Sequence, residues 1–407
     1  MKSLLISPYV SFDKEPKYRI CKSGFGYMVY DIANSLREGG IEISLFTPYV
    51  FCPCDSIGGV NLLPWTWLSF LRQFRFRYLW EGVRFLKHHK SSFKDSLRSL
   101  FFFSCKHYIS RIAPQYDIIH LHGLSALTIA AMQVLDDMGV KYLVTLHGLL
   151  SFKDAVRAPS WLKNYEREFL VDSLNTGRHV SFVSSGDMET ASAFLNTDGT
   201  PPSFYVVPNG CDVSRKPASM DVRKRYGIPE DVFLFVFAGN ISKWKNQVAV
   251  LDAFRHLSSD DRAGIKVLFC GEDLDGGRFK SLVYESGLSD SLIIAGGVPR
   301  SLIHNYYIAA NATILTSLSE GFGLSIIEGL VYGKPCLVYK DLPAIADIGD
   351  DSVMLYPSDR SAESLVAAML EMKDRSWDAG QIMEYARNFS LEKMAGKYES
   401  VYERILI

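Results

Sequence analysis

The sequence has no excess of charge of either sign and no long apolar run. Its 407 residues include 44 lysines and arginines against 45 aspartates and glutamates. This balance argues against bulk nucleic-acid binding, although it can hide local patches. Without a run of about eighteen apolar residues we expect no membrane-spanning helix, and the first residues indicate a β-strand instead of a signal peptide. We therefore expect a cytoplasmic protein without a nucleic-acid partner.

Cysteine is sparse and follows no pattern that predicts a disulfide framework. Cys52 and Cys54 flank a proline, but no second closely spaced pair completes a zinc site. We interpret all seven cysteines as reduced structural thiols, as expected in the cytosol. They are Cys21, Cys52, Cys54, Cys105, Cys211, Cys270 and Cys336.

The chain is longer than one hydrophobic core usually supports, so two domains are expected. In both halves apolar strands alternate with amphipathic helices, which is typical of a parallel sheet covered on both faces. In the first half we predict strands at Lys2–Ser7, Glu42–Phe46, Asp117–Leu121, Lys141–Leu146, His179–Val183 and Ser203–Val207. In the second half we predict strands at Val232–Ala238, Lys266–Phe269 and Ala312–Leu315.

The most informative stretch runs from residue 316 to residue 338. Glu320 and Glu328 flank a turn that contains Gly321 and Gly323. Glycine permits close backbone approach, and a turn that opens a helix presents free N–H groups and the positive end of the helix dipole to an anion. Carboxylates on either side can accept hydrogen bonds from hydroxyl groups. This combination suits a sugar nucleotide.

The same stretch resembles the signature of the retaining glycosyltransferase family 4. In that family a glutamate is followed by Gly-Phe-Gly and then by a second glutamate, and Glu320, Phe322 and Glu328 stand at the matching positions. The resemblance implies an α/β fold of two Rossmann-like domains facing a central cleft, the GT-B architecture. An ordinary αβ crossover with an acidic loop is the alternative interpretation.

The resemblance also implies where the domains divide. Pro208, Asn209 and Gly210 look like the family's hinge, although these residue types also form ordinary turns. Residues 1–210 would form the acceptor-binding domain, and residues 211–390 would form the donor-binding domain. The last segment, 391–407, is expected to pack back on the first domain.

In the second domain the resemblance assigns a donor site. Lys245 stands at the position of a diphosphate-binding lysine, but Asn240 stands where the family has arginine, a loss that Lys243 could offset. Glu320 is implied to contact the transferred sugar and Glu328 the ribose hydroxyls. The other implied donor contacts are Glu272, Val298, Gly321, Phe322, Gly323 and Leu324.

In the first domain two features resemble family motifs. Ser23, Gly24 and Gly26 resemble a loop motif near the diphosphate, for which plain loop flexibility is the alternative. His147 ends a predicted strand and matches the family's active-site histidine, for which a hydrogen-bonded structural role is the alternative.

The implied activity is a retaining, metal-independent sugar transfer without a cofactor. The donor would be a nucleotide sugar, a UDP-sugar ahead of a GDP-sugar, and the acceptor a glycan or lipid-linked hydroxyl in cell-surface polysaccharide synthesis, such as that of lipopolysaccharide. The alternatives are a nucleotide-sugar epimerase of the same architecture and, given the missing arginine, a non-catalytic sugar-nucleotide binder. The expected catalytic residues are Glu320, Lys245 and His147.

The segment from Trp65 to Arg111 interrupts the alternation of strands and helices. Basic and aromatic residues are interleaved in it, with only Glu81 and Asp95 as acids. Such a mixture on a helix suits an anionic bilayer surface, so we expect peripheral attachment to the cytoplasmic membrane. The alternatives are two helices that pack their aromatics into the core, and a nucleic-acid patch that the rest of the chain does not support.

Overall fold

The computed structural model describes residues 1–12, 24–48, 55–63, 65–152 and 158–407, without the side chains of residues 93–96 and 98. Ser23 of the glycine motif and three of the cysteines, Cys21, Cys52 and Cys54, lie outside the described residues. The chain divides into two compact units. One comprises Met1–Asn209 with Leu391–Ile407, and the other comprises Gly210–Ser390.

The first unit is built on a largely parallel sheet with helices between its strands. Its strands are β1 (Lys2–Ile6), β2 (Glu42–Phe46), β3 (Ser56–Ile57), β4 (Val60–Leu62), β5 (Ile118–His122), β6 (Tyr142–Leu146), β7 (His179–Phe182) and β8 (Phe204–Val206). Its helices up to residue 195 are α1 (Gly24–Glu38), α2 (Trp67–Gln73), α3 (Phe76–His88), α4 (Phe93–Phe103), α5 (Lys106–Ile112), α6 (Ala126–Met138), α7 (Ser160–Thr176) and α8 (Ser185–Leu195).

In the described residues of this unit the strand order is β3-β4-β2-β1-β5-β6-β7-β8, and only the β3–β4 pair is antiparallel. Every residue of β5 and β6 is buried, which explains their apolar composition, because parallel strands are covered on both faces. The sheet order reverses direction between β1 and β5. Ligands of open α/β sheets collect beyond the carboxyl ends of strands at such a point.

The second unit is also built on a parallel sheet with helices between its strands. Its strands are β9 (Phe233–Ala238), β10 (Ile265–Cys270), β11 (Leu292–Gly296), β12 (Ala312–Leu315), β13 (Cys336–Val338) and β14 (Met354–Leu355). Its helices are α9 (Val222–Tyr226), α10 (Val248–His256), α11 (Ser259–Ala263), α12 (Arg278–Glu285), α13 (Ile303–Ala309), α14 (Leu324–Val331), α15 (Ile345–Ile348), α16 (Ala362–Asp374) and α17 (Ala379–Ala386). The order β11-β10-β9-β12-β13-β14 places the switch point between β9 and β12. Two parallel-sheet α/β units confirm the predicted fold class.

The final helix, α18 (Leu391–Leu406), belongs to the first unit, where it packs against α1. Tyr398 and Tyr402 lie fully buried on its inner face, one turn apart. The Tyr402 hydroxyl lies 2.6 Å from Nδ1 of His120 on β5. The end of the chain therefore helps to complete the first unit's core.

The first helix begins at the glycine motif. Gly24 and Gly26 lie in the first turn of α1, so the motif opens the helix, about two residues before the start near Gly26 that the sequence predicts. A Cβ at Gly26 would lie 2.3 Å from Oγ of Ser11, whose N–H donates to the Gly26 carbonyl at 3.0 Å. Gly26 thus permits the chain after β1 to cross close to the helix.

The segment that interrupts the alternation forms four short helices, α2 to α5, and not two. Trp65, Phe102 and Phe103 are buried in the core of the first unit, whereas Phe76 and Trp80 are 80% and 60% exposed. One set of aromatics in the segment therefore completes the core, as the core-packing alternative predicts, and another set faces solvent. In the described part of the chain, no helix has the length and apolar content needed to cross a bilayer.

Candidate functional site

An ion pair lies at the switch point of the second sheet. Lys245 follows β9 and Glu320 follows β12, and Lys245 Nζ lies 2.6 Å from Glu320 Oε1. The two side chains are only 17% and 11% exposed. The Ser317 hydroxyl also donates to Glu320 Oε1, at 2.5 Å. The ends of β9 and β12 thus hold a cation and a carboxylate side by side and mostly shielded from solvent.

Backbone contacts join the two loops that carry this pair. The Thr316 hydroxyl donates to the Asn246 carbonyl at 2.8 Å, and the Leu318 N–H donates to the Trp244 carbonyl at 2.7 Å. These bonds hold the loop after β9 against the loop after β12. Lys245 and Glu320 are therefore positioned by the fold before any ligand arrives, which limits the entropy lost when one binds.

Asn240, which replaces the family's arginine, has a structural partner. Its Oδ1 accepts a hydrogen bond from the Glu272 N–H at 3.0 Å, and its carbonyl accepts one from the Gln247 amide at 3.0 Å. A Cβ at Gly271 would lie 2.1 Å from the Gly239 carbonyl oxygen, so the two loops pass in direct contact. Asn240 ties these loops together and brings no charge, while Lys243 is exposed.

Replacing Asn240 with alanine is expected to lower the free energy of unfolding by about 1–3 kcal/mol, because the Glu272 N–H loses its acceptor. Urea denaturation of the purified protein measures this change. Lys280→Ala, at an exposed lysine of α12, is the matched control and should stay within about 0.5 kcal/mol. An Asn240→Ala protein as stable as the control would show that the bond contributes nothing.

Helix α14 begins beside the ion pair. Gly323, with a φ of 76°, is its N-terminal cap, so the first N–H groups of the helix start at Leu324. Phe322 is 3% exposed and packs near Phe389, which leaves its main chain as the part that can contact a ligand. The start of α14 can therefore bind an anion through main-chain N–H groups.

Glu328 lies one turn further along α14. Its Oε2 accepts a hydrogen bond from the buried Tyr307 hydroxyl at 2.8 Å, and burial together with Glu328 raises the pKa of Tyr307 well above its usual value. A Cβ at Gly329 would lie 2.6 Å from the Thr313 side chain, so glycine there lets the helix pack closely on β12. The Glu328 carboxylate is thus held in one orientation near the strand ends.

Two other predicted donor residues follow neighbouring strands of the same sheet. Glu272 comes after β10, and Val298 comes after β11. A Cβ at Gly297 would lie 2.2 Å from a carboxylate oxygen of Glu272, so the two turns are in contact. Val298 packs partly buried against the core of the second unit. The predicted donor residues therefore collect at one edge of this sheet, since parallel strands end there together.

In the first unit three histidines lie together at the ends of β5 and β6. Nδ1 of His122 lies 3.1 Å from Nε2 of His147, and Nε2 of His120 lies 2.6 Å from the Thr145 hydroxyl. Burial lowers the pKa of His147 to about 3 and that of His120 and His122 well below the usual value. His122 and His147 therefore share one hydrogen as neutral rings, so the tautomer of one sets that of the other.

These buried histidines make stability depend on pH. Their folded-state pKa lies below the unfolded value of about 6.5, so the unfolded chain takes up protons first as pH falls. The full free energy of unfolding is expected above about pH 6.5, with a loss of up to about 1.4 kcal/mol per pH unit for each buried ring below it. Urea unfolding between about pH 7.5 and 5 measures the slope.

His122→Asn should flatten this slope, whereas His256→Asn, at an exposed histidine of α10, should leave it unchanged. Equal slopes in wild type and His122→Asn would contradict the assignment.

A pocket of about 430 Å³ opens beside His147 in the first unit. The Phe25 ring meets the His147 ring edge to face, with centroids 4.8 Å apart. Glu166, buried in α7, accepts hydrogen bonds from the N–H groups of Leu150 and Ser151. Residues from the ends of β1, β5 and β6 and from α4 and α7 line it, among them Pro8, Tyr9, Ser99, Phe102, Leu124, Leu146, Trp161 and Leu162.

Sequence reasoning missed the partners of the predicted residues. Ser317 was detectable, because it stands three residues before Glu320 on the same turn. Tyr307 and Glu166 were not, because each reaches its partner from another element of the fold. His122 ends a predicted strand, as His147 does, so both were expected at the same edge of the sheet. In the described part of the chain no group of three or more metal-ligating side chains is arranged to hold a metal ion.

Protein families match the two units separately. Residues 22–215 match Glycosyltransferase Family 4, and residues 219–389 match the glycosyl transferases of group 1. Among curated proteins, the Bacillus subtilis (strain 168) protein TuaC, named for a glycosyltransferase role in teichuronic acid biosynthesis, is 26% identical over 257 residues. The match covers 62% of this chain and 60% of TuaC.

Solved structures match over nearly the whole length. Sucrose-phosphate synthase from Thermosynechococcus elongatus superposes with a TM-score of 0.73 at 17% identity, covering 99% of both chains. HepE from Anabaena, in complex with UDP and glucose, superposes with a TM-score of 0.66 at 16% identity, covering 99% of this chain and all of HepE. The chain therefore belongs to the family 4 type of glycosyltransferases and has their GT-B fold.

Proposed function

We propose that the protein transfers a sugar, with retention of anomeric configuration and without a metal ion, from a nucleotide sugar to an acceptor hydroxyl. The observation that carries the proposal is the Lys245–Glu320 pair at the switch point of the second sheet, next to the start of α14. A cation and free main-chain N–H groups suit a diphosphate, and a carboxylate beside them suits the hydroxyls of a sugar.

Lys245, Glu320 and Glu328 each have a role in this proposal. Lys245 and the first N–H groups of α14 neutralise the diphosphate as it leaves, and Glu320 holds the transferred sugar. Glu328, oriented by Tyr307, accepts hydrogen bonds from the ribose. The leaving diphosphate takes the proton of the acceptor hydroxyl, so no side chain needs to act as the base.

His147 contributes to this reaction as a neutral ring that orients the acceptor. Its folded-state pKa of about 3 keeps it uncharged at neutral pH, and it can donate or accept a hydrogen bond depending on the hydrogen it shares with His122. It therefore positions the acceptor hydroxyl without placing a charge beside the transferred sugar.

A UDP-sugar is the proposed donor, supported by the UDP and glucose bound to HepE. Thermal-shift measurements with UDP, GDP and ADP test this choice. The correct nucleotide at about one hundred times its Kd is expected to stabilise the protein by about 2.7 kcal/mol, and the others by less. Equal shifts with all three would remove the preference for uridine.

Two alternatives remain as outcomes of a donor assay. An epimerase would convert the nucleotide sugar without an acceptor, and a non-catalytic binder would leave it unchanged. The transferase is expected to release UDP from UDP-glucose slowly with water and faster with an acceptor. NMR of the transfer product distinguishes retention from inversion, and an excess of EDTA should leave the rate unchanged.

We further propose that the acceptor is lipid-linked, belongs to cell-surface polysaccharide synthesis, and is reached by peripheral attachment to the inner face of the cytoplasmic membrane. The teichuronic acid role in the name of TuaC supports the pathway class. The helices α2 and α3 support the attachment, because Phe76, Trp80, Arg84 and Lys87 form one exposed stripe along α3.

Not every basic residue of the segment is available to a bilayer. Glu81 bonds Arg77 at 2.8 Å and the buried Lys106 at 2.6 Å, and its single negative charge offsets one of their two positive charges. The cations that remain exposed in the described part of the segment include Arg72, Arg75, Arg84, Lys87 and Lys90. Exposed apolar neighbours are Trp67, Leu68, Leu71, Phe76 and Trp80.

Sedimentation with vesicles of anionic phospholipid tests the attachment. Binding is expected at low salt and should weaken at about 1 M salt, where charges are screened within about 3 Å. Reversal of Arg75, Arg84 and Lys87 to glutamate should weaken binding by roughly a hundredfold or more, at about 1 kcal/mol for each charge lost near the surface.

The matched control reverses three exposed lysines elsewhere, Lys224, Lys280 and Lys397, and should bind as the wild type does. Failure of the wild type to bind at low salt, or equal binding by both triple variants, would remove the membrane role and leave the transferase proposal standing.

A further inference from the structure

The pocket of the first unit lies at the switch point of its sheet. Pro8 and Tyr9 follow β1, the stretch from Gly123 to Ala126 follows β5, and Leu146 ends β6. Ligands of this kind of sheet bind beyond these strand ends. The walls are mainly apolar, formed by Phe25, Phe102, Leu124, Leu146, Trp161 and Leu162.

Most polar side chains of the wall already have partners inside the protein, and in the described part of the chain only Nε2 of His122 and Nε1 of Trp161 are buried in the wall without one. The Glu166 carboxylate accepts bonds from the Leu150 N–H and from the N–H and hydroxyl of Ser151. The Ser125 hydroxyl caps α6, and His122 pairs with His147. A sugar ring in this space would leave hydroxyls unpaired, each at a cost of about tenfold in affinity. The pocket therefore favours an apolar occupant.

Helix α4 carries part of the pocket wall, and the neighbouring helix α3 carries the exposed surface proposed to meet the membrane. Ser99 and Phe102 of α4 line the pocket. Helix α4 packs tightly on α3, where a Cβ at Gly82 would lie 2.8 Å from the Phe103 ring. The outer side of α3 presents Phe76 and Trp80 to solvent. The exposed surface of α3 and the apolar pocket wall of α4 thus belong to two helices that pack directly on each other.

We propose that this pocket binds the hydrocarbon chain of an amphipathic acceptor, with the polar end of the acceptor towards His147. The inference rests on the proposed function, in which the acceptor is lipid-linked, and it names the part of the acceptor that the first unit recognises. His147 is a partly buried polar residue of the wall, as are Tyr9 and Ser125, so a hydroxyl can reach its ring, whereas the Ser125 hydroxyl already caps α6.

Affinity for the acceptor should then rise with its chain length. Each methylene buried in an apolar pocket contributes about fourfold. Alkyl β-glucosides with methyl, butyl, hexyl and octyl chains are suitable probes, used below their critical micelle concentrations with the full-length protein. Isothermal titration is expected to show about fifteenfold tighter binding for octyl than for hexyl glucoside. Methyl glucoside binding as tightly as octyl glucoside would overturn the proposal.

Two variants separate the pocket from the exposed surface. Leu162→Trp fills the pocket and should abolish the dependence on chain length, whereas Lys163→Trp, at the next residue of α7 and outside the pocket, should retain it. Trp80→Gln removes an exposed apolar side chain and should also retain it. A chain-length dependence lost in Trp80→Gln but kept in Leu162→Trp would move the binding site to the surface and overturn the proposal.

Further measurements distinguish a failure of the pocket assignment from a failure of the proposed function. Leu124→Gln provides a second change in the pocket wall if Leu162→Trp does not fold, and circular dichroism reports the fold of each variant. UDP binding is measured in the same preparations. UDP binding with no chain-length dependence would overturn the pocket assignment alone. Chain-length dependence with no nucleotide binding would overturn the proposed function and, with it, the role of the pocket as an acceptor site.

Discussion

Replacing Lys245 with alanine is expected to lower the turnover of sugar transfer by about a hundredfold or more, the effect of losing one preorganised charge contact with the leaving group. UDP binding should weaken as well, because the cation also faces the diphosphate in the ground state. The reason is geometric, since Lys245 is the cation that the fold holds 2.6 Å from Glu320, at the start of α14. Steady-state kinetics and UDP titration measure both effects.

The stability of Lys245→Ala needs a separate measurement. Removal of the Lys245 cation leaves the partly buried Glu320 carboxylate without its counter-charge, which destabilises the folded state. The double variant Lys245→Ala with Glu320→Ala removes both charges and should be more stable than Lys245→Ala alone. Lys280→Ala, at an exposed lysine, is the control for activity. Activity of Lys245→Ala within about threefold of the wild type would exclude it as the diphosphate contact and direct attention to Lys243.

Glu320→Ala is expected to abolish sugar transfer while UDP binding survives, because this carboxylate is assigned to the transferred sugar. The ion pair between Lys245 and Glu320 also predicts how UDP binding should change. Without Glu320, the Lys245 ammonium loses its internal partner and becomes fully available to the diphosphate, so UDP should bind at least as tightly as to the wild type. Glu320→Gln keeps an acceptor for the Ser317 hydroxyl and separates loss of charge from loss of shape.

Glu328→Ala is the informative comparison, because Glu328 is assigned to the ribose and not to the sugar. It should weaken UDP binding and leave the Tyr307 hydroxyl without its acceptor. If Glu328→Ala bound UDP normally and Glu320→Ala did not, the two roles would be reversed. Equal losses of binding and of thermal stability in both variants would leave only a structural function for the two acids.

The sequence alone determined the two α/β units and the clustering of the predicted donor residues in the second. Both depend on short-range signals. Alternation of apolar strands and amphipathic helices is visible over a dozen residues, and the two glutamates with their glycines lie within nine positions of each other. Because all strands of such a sheet end at one edge, the loops after β9, β10, β11 and β12 could be expected to collect there.

The segment from Trp65 to Arg111 was harder to predict. In the segment, aromatic residues follow one another so closely that their spacing does not reveal which of them face the core. Packing against α6 and the sheet buried Phe103 and left Phe76 exposed.

Only the tertiary structure decided which side chains meet. Lys245 and Glu320 are 75 positions apart, and Asn240 and Glu272 are 32 apart, so nothing local in the sequence indicates either contact. The same holds for Tyr307 with Glu328. Residue types predicted the chemistry of the site, because charge and hydrogen-bonding capacity belong to the side chain itself. The crossover connections between parallel strands determined which side chains form pairs, because they bring segments that are far apart in the sequence to the same edge of the sheet.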